Sequence, residues 1–220
     1  MPHDHHDHEH DHSHDGLSPS GHPYRADNDT DLSYWQAMEI ALRELLIEKG
    51  HLTAAQIHSQ INAMDSRSPA NGARVVARAW VDPEFKAALL ADAGAASRAM
   101  GFDIGPMHLI ALENTKEVHN VVVCTLCSCY PRNLLGLPPD WYKSRAYRSR
   151  TVIEPRKVLS EFGLELPEPM QVRVHDSTAD MRYIVLPAQP EASLGLTEEE
   201  LAAWVTRDSM IGVGLPQAPR

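Results

Sequence analysis

Val121-Val122-Val123-Cys124-Thr125-Leu126-Cys127-Ser128-Cys129-Tyr130-Pro131-Arg132 is the stretch on which the reading of this chain turns. All 3 cysteines of the 220-residue chain lie in it. An odd number of thiols at C-x-x-C-x-C spacing cannot all bridge one another, so the cluster reads as metal ligands rather than a disulfide framework. Closing so short a loop on one ion brings backbone amides with the sulfurs, and those of Ser128 and Cys129 are placed to join them. Structural zinc asks for four side-chain ligands, and iron–sulfur clusters usually ask for four cysteines. Three thiolates with two deprotonated amides form a strong-field set instead. That set suits low-spin trivalent cobalt or iron and leaves one position open for water or substrate, as a hydrating or hydrolytic site requires.

Working outward, the β-branched run Val121-Val122-Val123 predicts a strand buried on both faces, which delivers the metal loop from a rigid support. Short apolar runs at 107–112, 171–174 and 183–186 predict three more strands. Upstream the period is helical. Trp35, Met38, Ala41, Leu42, Leu45 and Leu46 form one stripe, capped by Asp31 or Ser33 and stopped at Gly50. Thr53-x-x-Gln56 is a capping box for a second helix with Ile57, Ile61 and Met64. Residues 69–79 predict a third helix, and Asp82-Pro83 opens a fourth. Downstream come short helical turns after Pro131, a helix over 154–162, and a last helix capped by Thr197-x-x-Glu200 that ends near Arg207. The expected fold class is α+β: a helical arm over 24–105, then a layered αββα-type core over 106–220 that carries the metal loop.

Residues 1–23 have a different composition. Seven histidines from His3 to His14 are interleaved with Asp4, Asp7, Glu9, Asp11 and Asp15. The segment has no apolar face to bury, so it is expected to be a solvated tail able to bind divalent metal but without a catalytic part. The net charge of −10 argues against nucleic-acid or anionic-membrane partners. Apolar runs fall far short of a membrane span of ~20 residues, and the polar amino terminus with clustered, bridgeless cysteines gives a cytoplasmic address.

The cysteine stretch, with 135–143 (LGLPPDWYK) and Tyr147-Arg148-Ser149-Arg150, resembles the metal-carrying subunits of the nitrile hydratase family, namely the nitrile hydratase α subunit and the thiocyanate hydrolase γ subunit. The resemblance runs from about Leu32 to about Pro216. It takes in 72–76 (GARVV), 79–85 (AWVDPEF), Glu113-Asn114-Thr115, Arg182-Tyr183 and 205–208 (VTRD). It implies one Co(III) ion per subunit, because Thr125 between the first two cysteines goes with cobalt and serine with iron. The implied metal ligands are Cys124, Cys127 and Cys129 with the amides of Ser128 and Cys129. Cys127 is implied to become a sulfinate and Cys129 a sulfenate, which is nucleophile or base, and Ser128 is placed to support the oxidised sulfurs. The resemblance further implies a β-type partner, in a heterodimer or heterotetramer, that supplies arginines to those sulfurs and is embraced by the helical arm, and an activator or metallochaperone that loads the ion.

Arg132 divides two substrates. Most nitrile hydratases carry tryptophan at that place, whereas thiocyanate hydrolases resemble this chain there. A guanidinium near the metal suits the thiocyanate anion, so Arg132 is the candidate substrate-binding residue. Leu137-Pro138-Pro139 and 147–150 lean toward the nitrile enzymes, and hydration of a nitrile to an amide is the leading reading. Two further classes stay open: a cobalt-carrying accessory protein, and a structural zinc module. His108, His119 and His175 are expected to be hydrogen-bonded core or interface residues rather than ligands, and Tyr130, Trp141 and Tyr142 to be core.

Overall fold

Two parallel strand pairs carry the metal loop. The computed structural model describes residues 32–127 and 129–219. β1 (His108–Glu113) pairs in parallel with β4 (Met181–Leu186), with His108 opposite Met181 and Glu113 opposite Leu186. β2 (Val118–Val123) pairs in parallel with β3 (Gln171–Asp176), with Val118 opposite Gln171 and Val123 opposite Asp176. Parallel partners need a long crossover. The crossover from β2 to β3 contains the cysteine loop and four short helices: α6 (Arg132–Leu135), α7 (Asp140–Lys143), α8 (Arg145–Ile153) and α9 (Pro155–Glu161). β2 is buried from His119 to Val123, as a β-branched strand covered on both faces should be.

Ahead of the strands stand α1 (Tyr34–Glu48), α2 (Ala54–Asp65), α3 (Pro69–Val81), α4 (Pro83–Ala91) and α5 (Ala93–Ala99). Ser33 caps α1 reciprocally with Gln36, and Asp82 caps α4 by accepting from the Phe85 amide; the other candidate cap, Asp31, lies outside the described residues. Contacts divide the chain between Ala54 and Ala55. In the first unit α1 buries no side chain, and Trp35 is 75% exposed. In the second, α2 likewise buries none, whereas Val75, Val76 and Ala79 of α3, Leu89 of α4 and Ala96 of α5 share one apolar core with the strands. Three of the helices between residues 24 and 105 therefore pack as part of the core unit. α5 went unforeseen because Ala-Gly-Ala-Ala has no apolar stripe to mark it; Asp92 caps it at the Ala95 amide.

The last helix is two helices. α10 (Glu198–Trp204) ends where Val205 turns extended, and Thr206 with Ser209 builds a fresh capping box for α11 (Arg207–Ile211). The chain leaves α11 through Gly212, at φ +91°. A Cβ there would stand 2.0 Å from the Asn120 carbonyl oxygen, so glycine alone permits this approach to β2.

A directional hydrogen-bond chain fills the same place. His119 Nε2 donates to the Gly212 carbonyl (2.7 Å) and its Nδ1 accepts from Asn114 Nδ2 (3.2 Å), which assigns the neutral Nε2–H tautomer. Asn114 Oδ1 accepts from the Asn120 amide (2.8 Å), and Asn120 Oδ1 accepts from His175 Nε2 (2.9 Å). His119 and His175 are thus hydrogen-bonded residues of the core, while His108 is exposed.

Burial holds the pKa of both His119 and His175 below the ordinary histidine value of 6.5; the Gly212 bond opposes the shift at His119, and the Arg173 charge adds to it at His175. The unfolded chain therefore binds more protons than the folded one just below that value, and stability falls as pH drops through it. Each histidine contributes a slope of up to ~1.4 kcal/mol per pH unit. Denaturant midpoints measured from about pH 7.5 to about pH 5.5 should fall, and His119→Gln should flatten the fall.

Candidate metal centre

The cysteine loop leaves β2 at Val123. Cys124 is buried at the strand end, Cys129 is half-buried and Cys127 is exposed. Their sulfurs lie within 4.8 Å of one another, at 3.6 Å between Cys124 and Cys127 and 3.2 Å between Cys127 and Cys129. None forms a disulfide. The Cys127 amide folds back to the Cys124 sulfur (3.4 Å), as a loop closing on one centre must. Ser128 lies outside the described residues.

The strand register builds the first anchor. Because Val123 stands opposite Asp176, the Asp176 carboxylate meets the next residues of the loop. It accepts from the Thr125 amide (2.9 Å) and from the Thr125 hydroxyl (2.6 Å). Helices of the crossover build the others. Tyr147 of α8 donates its hydroxyl to the Val122 carbonyl (2.7 Å), and Tyr142 of α7 donates to the Cys129 carbonyl (2.8 Å). Arg148, next on α8, donates through Nη1 to the Cys127 carbonyl. Beneath them Tyr130, Trp141, Tyr142, Tyr147 and Phe162 interlock edge to face; Trp141 is 4.9 Å from Tyr147 and 4.8 Å from Phe162. Tyr130, Trp141 and Tyr142 are core, as expected.

Burial and crowding oppose ionisation of the thiols. Burial pushes the Cys129 thiol up to about 12, and the neighbouring Cys127 and Cys124 side chains push the same way; the Arg182 charge opposes them. Three sulfurs this close cannot all ionise without a positive charge among them. A metal ion supplies it, and the donor set fits one. A tetrahedral zinc centre would want a fourth side chain, and no histidine or carboxylate joins the three sulfurs among the described residues.

Arg182 is also half of an unforeseen feature. It donates to the Thr178 carbonyl and to that of Ala179 (2.9 Å), while its Nε, like that of Arg148, is buried without a partner among the described residues. Sequence reasoning looked to a partner subunit for arginines at the sulfurs; in this chain Arg148 is bonded to the loop backbone and the Arg182 charge acts on Cys129. Tyr142, Tyr147, Arg148 and Arg182 all lie in the signature stretches, but their spacing carried no geometry that could assign them a task, and nothing in the sequence marked Asp176.

Arg132 begins α6, is exposed, and lines a shallow cleft with Met64, Arg67, Gly136 and Leu137. Its side chain makes no hydrogen bond or ion pair to a described residue. The histidine-rich segment 1–23 lies outside the described residues.

The model of the nitrile hydratase alpha chain matches residues 33–214. The chain is 50% identical over 183 residues, 81% of its own length and 87% of the relative's, to the low-molecular-weight cobalt-containing nitrile hydratase subunit alpha of Rhodococcus rhodochrous. Among solved structures it is similar to recombinant thiocyanate hydrolase comprising partially modified cobalt centres (44% identity, TM-score 0.79, covering 85% of this chain and 92% of that one). It is similar also to an Fe-type nitrile hydratase double mutant from Comamonas testosteroni Ni1 (44% identity, TM-score 0.77, 86% and 94%).

The Asp176 anchor is testable apart from any assay. Asp176→Ala removes two hydrogen bonds at an exposed position, each worth roughly 1 kcal/mol. The melting temperature should fall by only a few degrees, whereas metal per chain, read by elemental analysis, should drop by about half or more, because the lost contacts are those that close the loop.

Proposed function

We infer the function from one premise: this chain belongs to the nitrile hydratase α-chain family. It is the metal-carrying subunit of a cobalt nitrile hydratase, a hydro-lyase that adds water across a C≡N bond to give an amide. The observation that carries this reading is the set of three sulfurs within 4.8 Å on a strand-anchored loop. One Co(III) ion per subunit, rather than Fe(III), is held by Cys124, Cys127 and Cys129 with the amides of Ser128 and Cys129; Thr125 and the cobalt-containing relative support cobalt. When bound, the ion supplies Lewis acidity toward a nitrile nitrogen or a water. The chain does the rest. Asp176, Tyr142, Tyr147 and Arg148 hold the loop and the strand end before it, and Cys127 is exposed. Cys127 as sulfinate and Cys129 as sulfenate would carry oxygens at the centre, and the Cys129 oxygen would serve either as base toward the hydrating water or as nucleophile toward the C≡N carbon. Arg182 and Ser128 support those oxygens.

A β-type subunit completes the site in a heterodimer or heterotetramer, and an activator loads the ion. The apolar, uncovered stripe of α1 supports an arm that engages that subunit. Within residues 24–105 we assign the embracing part to α1 and α2, ahead of the metal-binding core over 106–220 and behind the tail over 1–23. A cytoplasmic location fits the absence, among the described residues, of any helix long and apolar enough to cross a membrane. Net charge −10 speaks against nucleic acid as a partner.

A second reading, thiocyanate hydrolysis to carbonyl sulfide and ammonia, is supported by the arginine at position 132 in the sequence and by the similarity to thiocyanate hydrolase. One experiment tests both. The co-expressed, cobalt-loaded protein is assayed with a nitrile and with thiocyanate. Cys124→Ala, Cys127→Ala and Cys129→Ala should each lose tight cobalt and all turnover; a variant that keeps both refutes the metal assignment. Arg132→Trp should leave nitrile turnover within a few-fold. If Arg132 instead holds the thiocyanate anion, a charged hydrogen bond is lost and kcat/KM for thiocyanate falls by about one to two powers of ten.

A further inference from the structure

A second cleft opens at the other end of β2 from the cysteines. It is lined by the last residues of β1 and β4, Glu113 and Leu186, which stand opposite each other, with Trp80 of α3, Lys86 of α4, and Pro187 and Gln189 beyond β4. The carboxyl ends of parallel strands are where open α/β sheets form their ligand crevices. β1 turns back through a bond from the Thr115 amide to the Val118 carbonyl, and β2 runs from that turn to Cys124. At ~3.3 Å per residue the cysteine loop begins about 20 Å along the strand from the turn, so the cleft is not part of the metal centre.

Its lining is of two kinds. Trp80, Leu186 and Pro187 are apolar, and the Trp80 indole is fixed by donating its Nε1–H to the Pro187 carbonyl (2.8 Å). Lys86 and Glu113 form an ion pair, their side chains 37% and 34% exposed, which sets one cationic donor beside one anionic acceptor at the cleft. Gln189 adds an amide side chain that makes no hydrogen bond to a described residue. The cleft has a volume of about 260 Å³. A cavity of ~150 Å³ holds benzene, so a molecule of that size or somewhat larger fits here.

That lining selects by charge. A lone carboxylate meets Glu113 and a lone ammonium meets Lys86, each a like-charge contact that costs affinity. A zwitterion matches both groups but takes two further charges out of water. A primary carboxamide matches both and brings no charge: its oxygen accepts from the Lys86 ammonium and its N–H donates to the Glu113 carboxylate. We propose that the cleft binds a small neutral molecule with a primary carboxamide head and an apolar tail, the head on Lys86 and Glu113 and the tail against Trp80 and Leu186. The ligand class follows from the lining alone. That the enzyme makes such amides, so that the cleft takes its own product, rests on the nitrile reading above.

The test uses the co-expressed, cobalt-loaded complex labelled with 5-fluorotryptophan, in which Trp80→Phe assigns the Trp80 fluorine resonance. Butyramide is the probe; butyrate, butylammonium and alanine are its charged counterparts. Butyramide should move the Trp80 resonance saturably with a Kd of about 1 mM, as two hydrogen bonds at a half-open ion pair and one small tail allow. Lys86→Met and Glu113→Gln should each weaken binding about tenfold, the loss of one charged hydrogen bond, and the three counterparts should bind as weakly. Gln189→Phe, in the loop after β4, fills the cleft and should abolish the shift; it carries the test if neither variant of the ion pair folds. A shift that stays linear with concentration, or that survives every folded variant unchanged, overturns the inference. So does butyrate, butylammonium or alanine binding as tightly as butyramide. Butyronitrile turnover by the same complex separates the two readings. A complex that binds butyramide at Trp80 without hydrating butyronitrile overturns the nitrile reading and leaves the cleft; one that hydrates it without a saturable Trp80 shift overturns the cleft alone.

Discussion

Three sulfurs are held within 4.8 Å of one another. That crowding is the constraint on which the centre depends, and it bears in two directions. Burial and the neighbouring cysteines keep the Cys129 thiol neutral on its own, and a cation among the sulfurs would let them ionise together. The backbone around them has to be held from behind, because six residues cannot hold such a turn by their own contacts. The holders are the Asp176 carboxylate of β3, the Tyr142 hydroxyl of α7, and the Tyr147 hydroxyl and Arg148 guanidinium of α8. The aromatic cluster under the loop keeps those tyrosines in place, and β2, locked by Gly212 and the His119 chain, keeps the loop's origin in place.

The register of the β2–β3 pair transmits this to the chemistry. A slip of one residue would set Val123 opposite His175 or Ser177 instead of Asp176 and turn every side chain of β3 to the other face. His175 resists that slip through Asn120 in the adjoining strand. The same few hydrogen bonds thus fix the strand pairing and the position of the loop.

Much of this was legible from residues alone. The cysteine spacing marked the three sulfurs that the fold brings within 4.8 Å of one another; β-branched valines marked β2; Ser33, Asp82 and Thr197 marked their helices by capping chemistry. What stayed hidden has physical reasons. α5 is built of small residues without a stripe, and the break at Val205 depends on the Thr206–Ser209 capping box outbidding continuation of the helix. Asp176 and Arg148 lie 51 and 21 residues from their loop partners, and no local period encodes contacts of that range. Arg132 illustrates the reverse: three places after Cys129 in sequence, it opens a new helix whose start turns it toward Met64 and Arg67.

The crossover between β2 and β3 also has a direction in time. A ribosome delivers the cysteines before α7 and α8, and delivers Asp176 and Arg182 last of all. While the thiols emerge, nothing yet exists to close the loop on an ion; a nascent chain offers three flexible sulfurs rather than a centre. Capture of the ion in its final geometry therefore belongs to the completed fold, after the β3 and β4 strands have docked, and any truncation before residue 176 would leave the ligands present and the site unmade.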